Sequence, residues 1–332
     1  MKILVTGGMG FVGHGIASAL VSQGHVVHVV GRTQNPPKSK LISGLHYHSH
    51  DLTRGMADVS WFKDFTTVFH VAAKAGIGGK YEEFRLANLV ATEKLLEACQ
   101  QQKVERFIYT STPSVTFSIN PISGGNESLP YSKENFSPYA STKALAEQAV
   151  LSTDQPNRMR TLALRPHLIW GAGDPHLLPR VIGRHRQGKL KRIGKGENRV
   201  DLTHVDNVVH AHICAFRSML ANPLLGGKAY FIGQNEPVNL WDWLNEIFEI
   251  LELPHLEKTL SYKNAHRIGW LMEKIWALLP LTSDPPMTRF VASQLAHDHW
   301  FSGQAAERDL QYKPLLNMAE AMEKTIPWLK TL

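Results

Sequence analysis

Lys2-Ile3-Leu4-Val5-Thr6-Gly7-Gly8-Met9-Gly10-Phe11-Val12-Gly13 decides how the rest of the chain is read. Ile3-Leu4-Val5 is the short apolar run of a strand buried on both faces. Phe11, Val12, Ile16, Ala17, Leu20 and Val21 then recur at three- and four-residue steps, the period of a helix that starts at once. Between the two lie Gly7, Gly10 and Gly13. Gly7 permits a tight turn, Gly10 lets backbone approach a pyrophosphate, and Gly13 lets the helix settle close to the sheet. Glycine spacing alone is a weak signal. A strand before it and a helix after it make the stretch an anion site at a helix N-terminus, with Phe11 and Val12 in the first turn.

The alternation set by this stretch continues. Strand patterns fall at His25–Val30, Leu45–Ser49, Thr67–Val71, Arg106–Tyr109 and Thr161–Leu164, with a long helix pattern from Tyr81 to Gln100 and another opening at Tyr139. Strands alternating with helices predict an α/β fold, a doubly wound parallel sheet with right-handed crossovers. After Trp170-Gly171 the pattern changes: Lys228–Ile232 reads as one more strand, and from Leu240 onward the chain is mostly helical. Residues 1–170 plus about 200–235 are expected to form the nucleotide-binding domain, and about 171–199 plus 236–332 a smaller, mostly helical substrate lobe.

The chain has 332 residues, 43% hydrophobic and 20% charged, with a formal charge of +7. That composition predicts a soluble globular protein, and Met1-Lys2 leads straight into the strand with no signal-peptide pattern. Cys99 and Cys214 each fall in an apolar helix pattern without metal-like partners, which reads as a reduced, cytoplasmic protein with buried thiols and no metal. Nothing in the sequence resembles a zinc pattern, an RNA-binding motif or an aromatic ladder, so no nucleic-acid partner is expected. Much of the excess charge lies in Arg184–Arg199, read either as a solvated surface or as attraction for an anionic ligand or membrane surface. The most apolar stretch, Ile268–Leu281, is interrupted by Glu273 and Lys274. It is shorter than the roughly 20 residues that span a bilayer, and it reads as a helix covering a core or an apolar pocket.

Candidate site residues follow the strand ends. After the second strand comes Gly31-Arg32-Thr33. An acidic residue there would bond the ribose 2′-hydroxyl of NAD, whereas Arg32 suits the 2′-phosphate of NADP or simply points to solvent. Asp51-Leu52 falls where a side chain and backbone could meet the adenine. Ala72-Ala73-Lys74 supplies small residues that let backbone lie against a flat cofactor. Asn88 sits inside a helix pattern, which suggests a bonding role or a surface position. Thr110-Ser111-Thr112 ends the fifth strand, and a polar loop runs from Phe117 to Pro138. Then Tyr139 and Lys143 share one helix face, with Glu147 four residues further on and placed to hold the lysine. A free tyrosine has a pKa near ~10, and a neighbouring ammonium lowers it. With a hydroxyl from Thr112 or Ser111 to hold a carbonyl oxygen, Tyr139 could transfer a proton at a carbonyl or carbinol beside a hydride-carrying cofactor.

Thr6-Gly7-x-x-Gly10-x-x-Gly13, Tyr139-x-x-x-Lys143 and Arg165-Pro166-x-x-Ile169-Trp170-Gly171 resemble the extended short-chain dehydrogenases/reductases, of the epimerase and 3β-hydroxysteroid dehydrogenase branch. The resemblance covers nearly the full chain. It implies a Rossmann domain with a small substrate lobe, a homodimer, and Tyr139 as acid/base. Lys143 would lower the tyrosine's pKa and bond the nicotinamide ribose. Thr112 falls where the family has a catalytic serine and Asn88 on its helix asparagine, while Ala91 stands where a glycine is usual. Pro166 joins the cofactor-binding set. The runs Tyr109–Val115, Arg165–Arg180 and Gly227–Pro237 are similar to those of bacterial 2-alkyl-3-oxoalkanoate reductases of olefin and β-lactone synthesis. That likeness implies NADPH-dependent reduction of the 3-keto group of a branched fatty β-keto acid.

Rival readings are a steroid or sterol dehydrogenase, a nucleotide-sugar epimerase or dehydratase, and a non-enzymatic NADP sensor. The phosphate-binding arginine of many sugar-nucleotide enzymes would fall at position 200, which holds Val200. Sensors of this fold tend to lack the Tyr–Lys pair. An acyl, lipid-like substrate would lie against Ile268–Leu281, Arg289-Phe290 and the loop Asp174–Arg180, with His176, Arg180, Arg289 and Lys74 as cations for a carboxylate. Peripheral contact with a membrane or with pathway enzymes is a further expectation.

Overall fold

The computed structural model describes residues 1–56, 59–76, 78–134, 137–279 and 285–332. Residues 135 and 136 of the polar loop, and the last two of the stretch Ile268–Leu281, lie outside the described residues. In chain order the first half runs β1 (Lys2–Thr6), α1 (Phe11–Ser22), β2 (Val26–Gly31), β3 (Leu45–Ser49), β4 (Thr67–His70), α2 (Tyr81–Phe84), a π-helical turn (Arg85–Val90), α3 (Ala91–Gln101), β5 (Arg106–Thr110), β6 (Ile122–Gly125) and α4 (Pro138–Ser152). There follow β7 (Arg160–Pro166), β8 (Ile169–Trp170), α5 (Leu177–Arg186), β9 (Arg192–Ile193), β10 (Arg199–Val200), β11 (Thr203–His204), α6 (Val205–Ala221) and β12 (Lys228–Ile232). The last third holds β13 (Val238–Asn239), α7 (Leu240–Ile250), β14 (Thr259–Leu260), α8 (Tyr262–Leu278), α9 (Arg289–Ala296), β15 (His299–Phe301), α10 (Gln304–Leu310) and α11 (Met318–Leu329).

Seven strands form one sheet in the order β12-β7-β5-β4-β1-β2-β3, every pair parallel. Ile3, Leu4 and Val5 are fully buried, as a strand covered on both faces requires. On one face Ile3 and Val5 pack with Ile16, Leu20 and Phe216, so α1 and α6 cover that side. On the other, Leu4 packs with Leu95, Cys99 and Val150, so α3 and α4 cover it. The strand order reverses between β1 and β4, and the carboxyl ends of that pair are where a doubly wound sheet takes its ligand.

A third apolar cluster gathers Trp170, Leu178, Trp241, Trp243, Phe248 and Met322. Ala306, Leu310 and Tyr312, which sequence grouping assigns to the substrate lobe, pack with the α1–α6 core. The polar loop after β5 holds a strand that its composition hides. β6 pairs with β15, Ile122 opposite His299, in a second sheet ordered β13-β10-β15-β6. The two partners are far apart in sequence, so no local pattern announces the pairing. Among the described residues no helix is long and apolar enough to cross a membrane.

Candidate active site

The glycine turn is built by close approach. Gly7 has φ +66°, and a Cβ there would lie 3.0 Å from Ala72 Cα; one on Gly13 would fall on the Gly7 carbonyl oxygen. Gly10 caps α1, and no side chain satisfies the amides of the first turn at Phe11 and Val12. Those N–H groups, at the positive end of the helix, remain available to an anion. A dinucleotide pyrophosphate fits this cradle, in which backbone can touch the ligand because no Cβ intervenes.

β4 delivers Ala72, Ala73 and Lys74 beside the turn. Thr6 Oγ1 accepts from the backbone N–H groups of Val71 and Ala72, both at 3.1 Å, and bonds His70 Nδ1 at 2.7 Å. His70 Nε2 bonds Thr92 Oγ1 at 2.8 Å, and that hydroxyl donates to the Asn88 carbonyl at 2.6 Å. Burial pushes the His70 imidazole down to about 3. It is therefore neutral, with Nε2 carrying the proton. Thr6, His70 and Thr92 were missed by sequence reasoning because each sits in an otherwise apolar strand or helix pattern.

The Asn88 side chain ends this chain of bonds. Its Oδ1 accepts from Lys74 N at 2.7 Å, and its Nδ2 donates to Lys74 O at 3.1 Å and to Thr142 Oγ1 at 3.2 Å. Asn88 thus ties the loop after β4 to α4, between Tyr139 and Lys143. The expected continuous helix Tyr81–Gln100 is broken here by the π turn Arg85–Val90. The wider turn rotates Asn88 inward and leaves Leu86 exposed at 41%. The Lys74 ammonium pairs with Glu83 at 2.7 Å.

At the end of β5, Thr112 caps the turn Pro113–Thr116, accepting from Ser114 N at 3.2 Å. Burial pushes the Tyr139 phenol up to about 12, and a hydrogen bond with Thr112 pulls it partly back. Thr112, not Ser111, is thus the hydroxyl that acts on Tyr139; Ser111 Oγ is buried with no hydrogen-bond partner among the described residues. Lys143 is buried, donates from Nζ to Thr110 O at 2.7 Å and lies 4.0 Å over the Tyr109 ring. Burial lowers it to about 7. The expected depression of the tyrosine by the lysine is thus not how the pair stands: desolvation governs both groups and moves them in opposite directions. Glu147 supports the lysine by its charge, which partly offsets that lowering, and its carboxylate bonds are made elsewhere. It accepts from Arg165 Nη2 at 2.5 Å and from Tyr131 OH at 2.9 Å, because β7 brings a guanidinium closer than one helix turn brings the ammonium.

Arg32 is exposed at the end of β2. Asp51 accepts from Thr53 N and Oγ1 at 3.0 and 2.9 Å, and Leu52 is nearly buried. Burial raises the Asp51 carboxyl, but the Thr53 bonds and the Arg32 and Arg54 charges outweigh it and hold the group low. At Gly31 the space an acidic side chain would enter faces Tyr47, whose hydroxyl lies 3.4 Å from where a Cβ would stand. Pro166 pairs with Ile232 at the end of β7.

Directly after Thr112 lies a small cleft of about 10 Å³, room for no more than one water, lined among others by Pro113, Ser114, Phe117, His167, Ser293 and His299. His167 Nε2 bonds His299 Nδ1 at 2.6 Å, and His299 Nε2 bonds Gln294 O at 2.6 Å. Phe290 closes on Phe117, ring centres 4.7 Å apart. None of the four expected cations lines this cleft: Lys74 is paired as above, Arg289 pairs with Glu273 at 2.7 Å, His176 is exposed and Arg180 stands on α5. The polar groups that line it include Ser114 and His167, from the quoted runs Tyr109–Val115 and Arg165–Arg180, and Ser293, Gln294 and His299, from α9 and β15, whose sequence carries no motif.

Residues 4–262 match the 3-beta hydroxysteroid dehydrogenase/isomerase family. The chain is 40% identical to a Stenotrophomonas maltophilia protein named 2-alkyl-3-oxoalkanoate reductase, over 98% of each. It is 34% identical to a mouse sterol-4-alpha-carboxylate 3-dehydrogenase, decarboxylating, over 98% of this chain and 90% of the other. In three dimensions it resembles UDP-glucuronic acid 4-epimerase from Bacillus cereus, TM-score 0.75 at 22% identity, covering 100% and 99% of the two chains. The chain belongs to the 3-beta hydroxysteroid dehydrogenase/isomerase family, and is an NAD(P)-dependent oxidoreductase of the extended short-chain type.

Proposed function

We propose that the protein reduces the 3-keto group of a long-chain 2-alkyl-3-oxoalkanoate to the 3-hydroxy acid, with NADPH as reductant and Tyr139 as proton donor. The carrying observation is the 40% identity along essentially the whole chain to a protein of that name. The sterol relative's name supports the same chemistry. In both, the carbon that exchanges hydride adjoins the carbon that bears the carboxylate, so a β-oxygenated acid is the shared substrate class.

The bound cofactor supplies the hydride. Tyr139, raised by burial, is a neutral phenol at neutral pH and so holds the proton that reduction consumes. As the carbonyl carbon gains hydrogen, the phenol O–H breaks and the proton passes to the carbonyl oxygen. Thr112 orients that oxygen and stabilises the phenolate left behind. Lys143, brought to about 7, exchanges protons at the same pH and offers its charge to that phenolate. Arg32, with Gly31 in the acidic position, favours the 2′-phosphate of NADPH.

The test is an assay of purified protein with NADP⁺ and NAD⁺ against 2-alkyl-3-hydroxy acids of increasing chain length, 3β-hydroxysteroids and UDP-hexoses. Turnover with NADP⁺ that rises with chain length and is lost on methyl esterification is the expected result. Activity confined to steroids or sugar nucleotides overturns the substrate. A cofactor preference unchanged in Arg32→Ala overturns the role given to that arginine.

A further inference from the structure

The histidine pair in the cleft after Thr112 has no part in the proton transfer above, and its bonds fix where its protons lie. Gln294 O can only accept, so His299 Nε2 donates to it at 2.6 Å and His299 Nδ1 is left as an acceptor. His167 Nε2 therefore donates to His299 Nδ1, also at 2.6 Å. That leaves His167 Nδ1 as the one nitrogen of the pair with no partner among the described residues. Burial lowers both imidazoles, and His299 lowers His167 further, so the pair is neutral and His167 Nδ1 carries a lone pair. Ser114 lines the same cleft. It receives a hydrogen bond from Thr112 Oγ1 at 3.2 Å, which leaves its own proton for another acceptor. Asp298 also borders the cleft, but its two oxygens are taken, by Arg199 N at 2.8 Å and Ser123 Oγ at 2.9 Å.

We propose that this cleft is the carboxylate subsite: one oxygen of the substrate's acid group accepts from Ser114 Oγ and from His167 Nδ1, which takes up a proton with it. The inference rests on the β-oxygenated acid proposed above. In that class the carboxylate sits on the carbon next to the one that exchanges hydride, so the hydroxyl that meets the carbonyl oxygen and the hydroxyl that meets the acid must be close neighbours. Thr112 and Ser114 are such a pair, 3.2 Å apart. A space that takes one water takes one carboxylate oxygen and excludes an alkyl chain. An anion buried without a countercharge is costly, and none of the four expected cations lines the cleft. His167 supplies the charge instead. A proton on Nδ1 makes an imidazolium whose Nε2 is already held by His299. That proton enters from solvent with the carboxylate, or from the neutral acid itself, and leaves with the product. The other ionisable groups around the pair are His297, which opposes a proton there, Asp298, which favours one, and Asp201, whose N–H donates to His299 O at 3.4 Å.

The test compares the kinetics of a 2-alkyl-3-hydroxy acid and its methyl ester in wild type, Ser114→Ala and His167→Gln, with whichever nicotinamide cofactor supports turnover. Glutamine keeps a donor toward His299 but has no nitrogen that gains a proton. Each variant should raise KM for the acid by about ten- to a hundredfold, the worth of a hydrogen bond to a charged group. The change in kcat should be far smaller, so the preference for acid over ester shrinks by the same factor. In wild type, KM for the acid should rise with pH, because the proton bound with the carboxylate becomes scarcer, and His167→Gln should remove that slope. A preference and a pH slope that survive in both variants overturn the subsite, as does a loss shared equally by acid and ester. If the melting temperature shows that His167→Gln does not fold, the preference in Ser114→Ala decides alone. Wild type that oxidises no 3-hydroxy acid overturns the substrate reading itself, and the subsite with it, before any variant is compared.

Discussion

Two polar clusters stand at the carboxyl ends of neighbouring strands, and they are finished differently. At β1 and β4, Thr6, His70, Thr92 and Asn88 form a continuous run of hydrogen bonds in which each side chain is satisfied. At β5, Tyr109 OH and Ser111 Oγ are buried with no hydrogen-bond partner among the described residues. A buried unpaired polar group costs about 1–3 kcal/mol. The first cluster needs nothing further, so it is scaffold: it holds the loop that carries Ala72–Lys74 and fixes α4. The second keeps unspent bonding capacity beside Tyr139 and Lys143, the pair to which the proposed proton transfer is given.

The contrast can be broken most sharply at Tyr139. Tyr139→Phe should cut turnover by about 10²–10⁴-fold, the worth of a general acid, with cofactor binding and melting temperature nearly unchanged. Full activity would end the assignment. Asn88→Leu attacks the satisfied cluster. It should lower stability by about 1–3 kcal/mol through the orphaned Lys74 and Thr142 groups, read by denaturant titration, with turnover falling as the loop and α4 lose their tie. A variant with unchanged stability would show that the network is not scaffold. The smallest effect is expected at Ser111. Ser111→Ala removes a hydroxyl that bonds nothing among the described residues and should leave stability within about 1 kcal/mol of wild type or slightly above it. Thr112→Val, measured for turnover alongside, should cost far more. The reverse ranking would move the substrate-orienting role from Thr112 to Ser111.

What was legible in the sequence is what short stretches determine by themselves. The glycine turn, the strand–helix alternation and the Tyr139–Lys143 spacing each depend on residues within a turn or two of one another. Several of the misread features depend on distant partners. Glu147 faces Lys143 in a helical wheel and acts on it by its charge, but Arg165 arrives from β7 and takes its ion pair. The cleft's His299 reaches the site only because β15 pairs with β6 across the lobes. The direction of the Tyr139 shift depends on how dry its pocket is, which no spacing encodes. His70 was hidden for the opposite reason: a neutral, fully bonded imidazole passes for one more core residue.

The π turn at Arg85–Val90 has a consequence for anyone reshaping this protein. A π turn stores one residue more than the α-helix needs, so the segment carries a surplus unit whose single use is to swing Asn88 toward Lys74 and Thr142. Removing one residue there would let α2 run unbroken into α3 and improve the helix as a helix. It would also turn the asparagine away from the loop it clamps. Losing the clamp orphans the same Lys74 and Thr142 groups as Asn88→Leu, so selection for heat tolerance and selection for turnover would both preserve the defect.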